Sequence, residues 1–192
     1  MKIIIAIIFF TTSVTCAYAS EMHKSQHTFK AKVANVRLNA LLSKSEKKPI
    51  DEVAVSLPAI IFAQPLKIEN VLAKTSNNSI AEIDVLIRYT KANIEGSAQD
   101  ILSFWTPEER TGKSKLLSRP EIFKANREYS IKNPNLSILG VVFQTDTSSI
   151  LLQKQNGVIG ISFLKRNNQI FLTDKPSNDL ELAIVEASYG IK

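Results

Sequence analysis

The 192-residue chain has one cysteine, Cys16, and two histidines, His23 and His27. From residue 28 to the C-terminus there is neither residue type. That absence excludes Ser-His-Asp and Cys-His nucleophilic sites from the body of the chain. It also removes the usual ligands of structural and catalytic zinc. Six glycines and seven prolines are too few for a collagen-like or low-complexity chain. No glycine-rich phosphate loop and no dinucleotide fingerprint is present. Hydrophobic residues make up 44% of the chain and charged residues 22%, with nine Phe among the aromatics. These values fit a folded domain with a real core rather than a disordered chain.

One apolar run stands out at the N-terminus. Lys2 precedes Ile3 to Phe10, weakly extended to Val14, and Ala17-Tyr18-Ala19 forms a small-x-small site before Ser20. Residues 1–19 therefore read as a secretory signal peptide cleaved after Ala19. The run is well short of the ~20 apolar residues of a membrane-spanning helix, so no transmembrane anchor is expected after cleavage. Ser13-Val14-Thr15 ahead of Cys16 lacks the large aliphatic and small residues of a lipoprotein signal. Cleavage removes Lys2 and no acid, so the net charge falls from +6 to +5, and the only thiol is lost. The expected destination is export, to the periplasm or the exterior. The exported chain needs no disulfide.

The rest divides into a polar N-terminal tail and extended arm, residues 20–76, and an α+β domain, residues 77–192. His23-x-x-x-His27 has the spacing of a helical metal clip, but it lies in a polar tail, and no metal site is expected. Phe29, Ala31 and Val33 alternate with polar residues as in a short strand. Residues 44–48 read as a charged linker. Residues 52–73 are apolar but broken by Pro58 and Pro65, which argues for short edge strands or an extended arm.

Helix punctuation follows. Ser79-Ile80-Ala81-Glu82 has the form of a capping box, and Ile80, Ile83, Ile87 and Ile94 form a stripe. Asp84–Arg88 and Lys91–Glu95 stand at i,i+4 on the outside. Gly96 predicts the stop and Ser97 the cap of a short helix. Pro107 and Pro120 predict two further helix starts, the second ending near Asn133-Pro134. Four strands come next, over residues 136–144, 149–155, 158–165 and 169–173, with turns near Asp146, Asn156-Gly157 and Asn167-Asn168. Gly140 and Gly160 inside strands suggest bulges or bends. Asn178-x-x-Glu181 predicts a last helix. The order gives an α+β fold with helices packed on a curved antiparallel sheet.

The stretch from Ile83 to Asp174, and above all Ala92-Asn93-Ile94-Glu95-Gly96-Ser97-Ala98-Gln99-Asp100-Ile101-Leu102-Ser103-Phe104-Trp105-Thr106-Pro107-Glu108, resembles the nuclear transport factor 2-like superfamily and its SnoaL-like branch. In that pattern a long helix ends at glycine, a short helix follows, and an aromatic residue precedes a polar turn. The resemblance covers about half the chain. It implies a cone-shaped domain with an apolar pocket, often dimeric through its sheet, so a homodimer is one expectation. It does not imply catalysis, because such a fold hosts enzymes and binding modules alike. Family enzymes place Asp, His or Tyr in the cone. Here only Asp84, Tyr89 and Asp146 could be nominated, and Asp84 is better explained as the partner of Arg88. No catalytic residue and no cofactor is assigned.

Trp105, Phe123 and Tyr129 are the candidate pocket residues, although Phe104, Trp105 and Tyr129 fit a core better than a ligand platform. Residues 110–132 carry seven basic residues against Glu121 and Glu128. Lys113, Lys115, Arg119, Lys124 and Arg127 thus form a candidate surface for an anionic lipid, glycan or acidic partner, or simply a solvated helix face. The export signal disfavours nucleic acid as a partner. Three functions stay open. They are a non-catalytic cone-like domain binding a small apolar ligand or a protein, a structural component of a bacterial envelope, and a carboxylate-based lyase, isomerase or hydrolase.

Overall fold

A computed structural model describes residues 24–44, 51–68, 80–132, 136–154 and 157–190. The signal segment, His23, Ser79, Asn133-Pro134, Asn156 and most of the predicted linker lie outside the described residues. Within them, six strands form one antiparallel sheet, accompanied by six helices. The fold is α+β. The elements run β1 (Ser25–Lys32), α1 (Val36–Lys44), β2 (Glu52–Lys67), α2 (Ala81–Glu95), α3 (Ala98–Ser103), α4 (Pro107–Leu117) and α5 (Pro120–Lys132), then β3 (Ser137–Phe143), β4 (Thr147–Lys154), β5 (Gly157–Arg166), β6 (Gln169–Thr173) and α6 (Asp179–Ser188). The sheet order follows the chain from β1 to β6.

The N-terminal region holds the largest departures from expectation. The polar tail ends sooner than read, since β1 already begins at Ser25 and buries Phe29 and Ala31. Residues 36–44, left within the polar stretch by sequence, form α1, with Leu38 and Leu42 buried one turn apart. The apolar, proline-broken run is not a set of short edge strands. It is one 16-residue strand, second in the sheet. The prolines fit because β2 changes partners along its length. Glu52 to Ala59 pairs with β1, and Ala59 to Lys67 pairs with β3. Pro58 lies just before the β3 ladder begins, and Pro65 lies in the register shift between Ile61 and Leu66. Neither position needs a ladder hydrogen bond on both sides, which is where proline is tolerated in a sheet.

Two irregularities bend the sheet. One is the β2–β3 shift, and the other lies between Ile138 and Gly140 on β3 opposite β4. Such bulges add local twist and turn the strand. A Cβ at Gly140 would sit 2.4 Å from the Ile60 carbonyl oxygen, so the bend needs glycine there. Gly160 plays a different part from the one expected. Its pairing with Leu151 is regular, and the missing side chain makes room for Leu182, whose Cδ1 would lie 2.7 Å from a Cβ.

Alternating strand residues cover both faces. Ile150, Leu152, Phe163 and Leu172 join Ile83, Leu86 and Ile87 of α2 in one core. Leu151, Val142 and Val158 join Val185 of α6 in another, and α1 packs beside it through Leu38 and Leu42. The cap of α3 is as expected, with Ser97 and Asp100 exchanging hydrogen bonds. So is that of α6, where Asn178 Oδ1 accepts from the Leu180 and Glu181 amides. Asn167 and Asn168 both have positive φ, 47° and 63°, as a type I′ turn requires. The cap of α2 differs. Ile80 is its N-cap and gives no side-chain hydrogen bond, while Glu82 accepts from the Ser148 hydroxyl at 2.9 Å.

The helical phase of α2 can be measured directly. Ile87 is buried and Arg88 is exposed beside Asp84, 3.1 Å away. Ile87→Ala should lower stability by about 2–5 kcal/mol, as for other buried aliphatic truncations. Arg88→Ala should change it by about 0.5 kcal/mol or less. Denaturant midpoints for the two variants check the order.

Candidate functional site

Tyr89 stands where α2 meets the segment after α3. Its ring makes edge contacts with Phe104 and Trp105, with centroids 5.9 and 6.1 Å away. Trp105 is held by the backbone, because residues 104–106 form a short parallel bridge to β6. The Leu172 amide donates to the Phe104 carbonyl, and the Thr106 amide donates to the Leu172 carbonyl. Burial pushes the Tyr89 phenol above its ordinary value. Hydrogen bonds with the Asn93 and Trp105 side chains oppose the shift only in part. Tyr89 is therefore a neutral phenol at physiological pH.

Two cavities flank Tyr89 and share Ile161 as a common wall. The first, about 350 Å³, lies between α2, α5 and the sheet. Ile68, Leu86, Ile94, Leu136, Leu152 and Ile161 supply its apolar wall, and no charged side chain lines it. Its polar residues are turned back on the protein. Thr90 Oγ1 donates to the Leu86 carbonyl, Ser130 Oγ to the Asn126 carbonyl, and Asn93 Nδ2 to the Tyr89 carbonyl. The Asn126 amide in turn donates to Asn93 Oδ1. The interior thus offers hydrocarbon and few free hydrogen-bonding groups.

The second cavity, about 300 Å³, sits where β6 stops. The last β5–β6 pair is Ser162 with Thr173, so β5 from Gly157 to Ile161 has no partner strand on that side. Glu186 of α6 covers the exposed edge. Its Oε1 accepts from the Gly160 amide at 2.8 Å, and its other oxygen pairs with Arg37 of α1. Asp174, Asp179 and the Trp105 ring complete the wall. Lys113 contacts two of these wall residues, with Nζ 2.6 Å from Asp174 Oδ2 and 3.7 Å from the Trp105 ring centre.

The three candidate pocket residues do not converge. Trp105 belongs to the polar cavity, Tyr129 stands half-exposed at the rim of the apolar one, and Phe123 borders a shallow depression beside Gly96 and Pro120. The basic residues also part ways. Lys113 turns in toward Trp105. Arg127 lies over the Phe123 ring and donates to the Gly96 carbonyl at the end of α2. Lys115, Arg119 and Lys124 remain at the surface, Lys124 within 3.9 Å of Glu128. Asp146 sits in the turn before β4. His27 lies in β1 rather than on a helix and bonds Ser25 Oγ, while His23, its expected partner, lies outside the described residues. Among the described residues no three His, Cys, Asp or Glu side chains gather as a metal ion would need. Nor is any described helix long and apolar enough to cross a membrane. Arg37 and Glu186 were not singled out by sequence. A glutamate inside the apolar run Leu182-Ala183-Ile184-Val185-Glu186 was the available signal.

No family model, curated protein or solved structure matches the chain.

The Tyr89 environment has a consequence for stability. A phenol whose folded value is raised keeps its proton longer in the native state than in the unfolded chain. Its contribution is fully present below the unfolded value of 10.0 and is lost as pH rises through the folded value. Tyr89→Phe should therefore show a shallower loss of stability above pH 10 than the wild type. Urea midpoints measured at about pH 8 and about pH 11 for both proteins check this.

Proposed function

We propose that this chain is a non-catalytic binding domain of an exported protein, of the cone-like nuclear transport factor 2 type, and that it takes a small apolar molecule between α2, α5 and the sheet. The observation that carries the proposal is the cavity of about 350 Å³ with no charged lining residue. Removing about 150 Å² of apolar ligand surface from water contributes about 4 kcal/mol before association costs. A wall whose amides and hydroxyls are already engaged places no demand on the ligand for polar groups.

The charged groups nearby favour binding over catalysis. Both Glu186 oxygens are occupied, one by the Gly160 amide and one by Arg37, and Asp174 is paired with Lys113. These contacts give Glu186 and Asp174 structural roles, and neither lines the apolar cavity. Export rests on the N-terminal pattern of residues 1–19, and the superfamily assignment on the segment from Ala92 to Glu108 together with the α+β order.

The neutral fluorophore N-phenyl-1-naphthylamine tests the cavity. Titration of the wild type should give a saturable, blue-shifted emission at one probe per chain. Ser130→Phe or Leu136→Trp, which place an aromatic ring in the same space, should abolish that signal while far-UV circular dichroism stays unchanged. Equal probe uptake by the wild type and both folded variants would overturn the proposal.

A further inference from the structure

The polar residues of the apolar cavity are few, and their bonds fix which way each one is turned. Asn93 is only 3% exposed. Its Nδ2 donates to the Tyr89 carbonyl at 2.8 Å, so its Oδ1 is the atom that accepts from Asn126. That contact orients Asn126 in turn, because the atom facing an acceptor must be the amide nitrogen. The Asn126 Oδ1 is therefore turned away from Asn93, and it has no partner among the described residues. No buried side-chain nitrogen or oxygen among the described residues lacks a partner. This oxygen accordingly reaches accessible space, and the cavity is the space that Asn126 lines.

Two hydroxyls in the same wall have the same bias. Thr90 and Ser130 spend their hydrogens on the Leu86 and Asn126 carbonyls, at 2.8 and 3.0 Å. Only lone pairs remain on those oxygens. An otherwise hydrocarbon wall thus offers hydrogen-bond acceptors, and no charged side chain lines it. A carboxylate placed there would meet lone pairs and no cation, whereas a hydroxyl would find an acceptor for its hydrogen.

We propose that the ligand of the apolar cavity is a neutral molecule with a hydrocarbon body and a hydroxyl group, and that Asn126 is the residue that selects it. The proposal rests on the reading of this cavity as a binding site. The wall requires no polar group of its ligand, but it separates ligands that bring a hydrogen-bond donor from those that do not. The body fills the space between α2, α5 and the sheet, and the hydroxyl donates to Asn126 Oδ1. A few well-placed polar groups in an apolar pocket set orientation and specificity in this way.

Displacement of N-phenyl-1-naphthylamine at neutral pH compares 1-naphthol with two molecules of matched shape, 1-methylnaphthalene and 1-naphthoate. On the wild type, 1-naphthoate should displace the probe about tenfold less readily than 1-naphthol, or worse, because its charge finds no partner. Asn126→Leu, similar in size but without the amide, should reduce the affinity for 1-naphthol relative to 1-methylnaphthalene about fivefold, the worth of one neutral hydrogen bond. Asn93→Leu combined with Asn126→Leu, which removes both members of the amide pair, should give the same loss. An unchanged ratio in the folded variants, or displacement by 1-naphthoate as ready as by 1-naphthol, would overturn the selection of a hydroxyl and leave the cavity reading standing. Failure of 1-methylnaphthalene to displace the probe from the wild type would overturn the cavity reading itself, and this inference with it. Far-UV circular dichroism of each variant separates loss of binding from loss of fold.

Discussion

The close approach of the Ile60 carbonyl to Gly140 is the constraint on which the rest of the molecule depends. With no room there for a Cβ, β2 and β3 run past each other at a distance that only glycine permits, and both neighbouring ladders slip register around it. A flat sheet would let α2 lie flush along its face. The bent one leaves space beside Leu152 and Ile161 while Ile83, Leu86 and Ile87 still pack against the central strands. The apolar cavity is thus a consequence of backbone geometry, and its wall is whatever the strand alternation presents to that face.

A second consequence follows at the other end of the sheet. β6 is five residues long and leaves part of β5 without a partner strand. An uncovered edge with free amides invites pairing with another chain. Here Glu186 accepts from the Gly160 amide and anchors Arg37, so α6 and α1 are tied to the edge by a buried carboxylate. The same arrangement gathers negative charge beside Trp105. Tyr89 and Ile161 separate this charged space from the hydrocarbon one, and two chemically opposed cavities share one wall.

Much of this order was legible in the sequence where local signals act alone. Ser97 with Asp100, Pro107, Pro120 and Asn178 announce helix starts through side-chain chemistry within one turn. The period-2 runs after residue 136 and the Asn167-Asn168 turn announce the meander. The N-terminal half was harder because its logic is not local. Pro58 and Pro65 look like strand breakers until it is seen that each half of β2 pairs on one side only. Leu38 and Leu42 give α1 too short an apolar stripe to stand out among polar neighbours. Glu82 looked like a cap and proved to be a partner of Ser148, a contact across 66 positions that no spacing rule reveals. The sites were least legible of all. The polar cavity draws Arg37, Tyr89, Trp105 and Glu186 from four separate elements. Trp105, Phe123 and Tyr129, the aromatics that stood out along the chain, end up in three different places.

The central claim is that the bent sheet, α2 and α5 form a cavity with an apolar wall and a rim at Tyr129 and Ile131. Apolar cavities take up xenon. Crystals of the protein pressurised with xenon test the claim most directly. The account predicts an anomalous peak in contact with Leu86, Leu152 and Ile161. A crystal structure in which side chains fill that space, with no xenon bound between α2, α5 and the sheet, would contradict it.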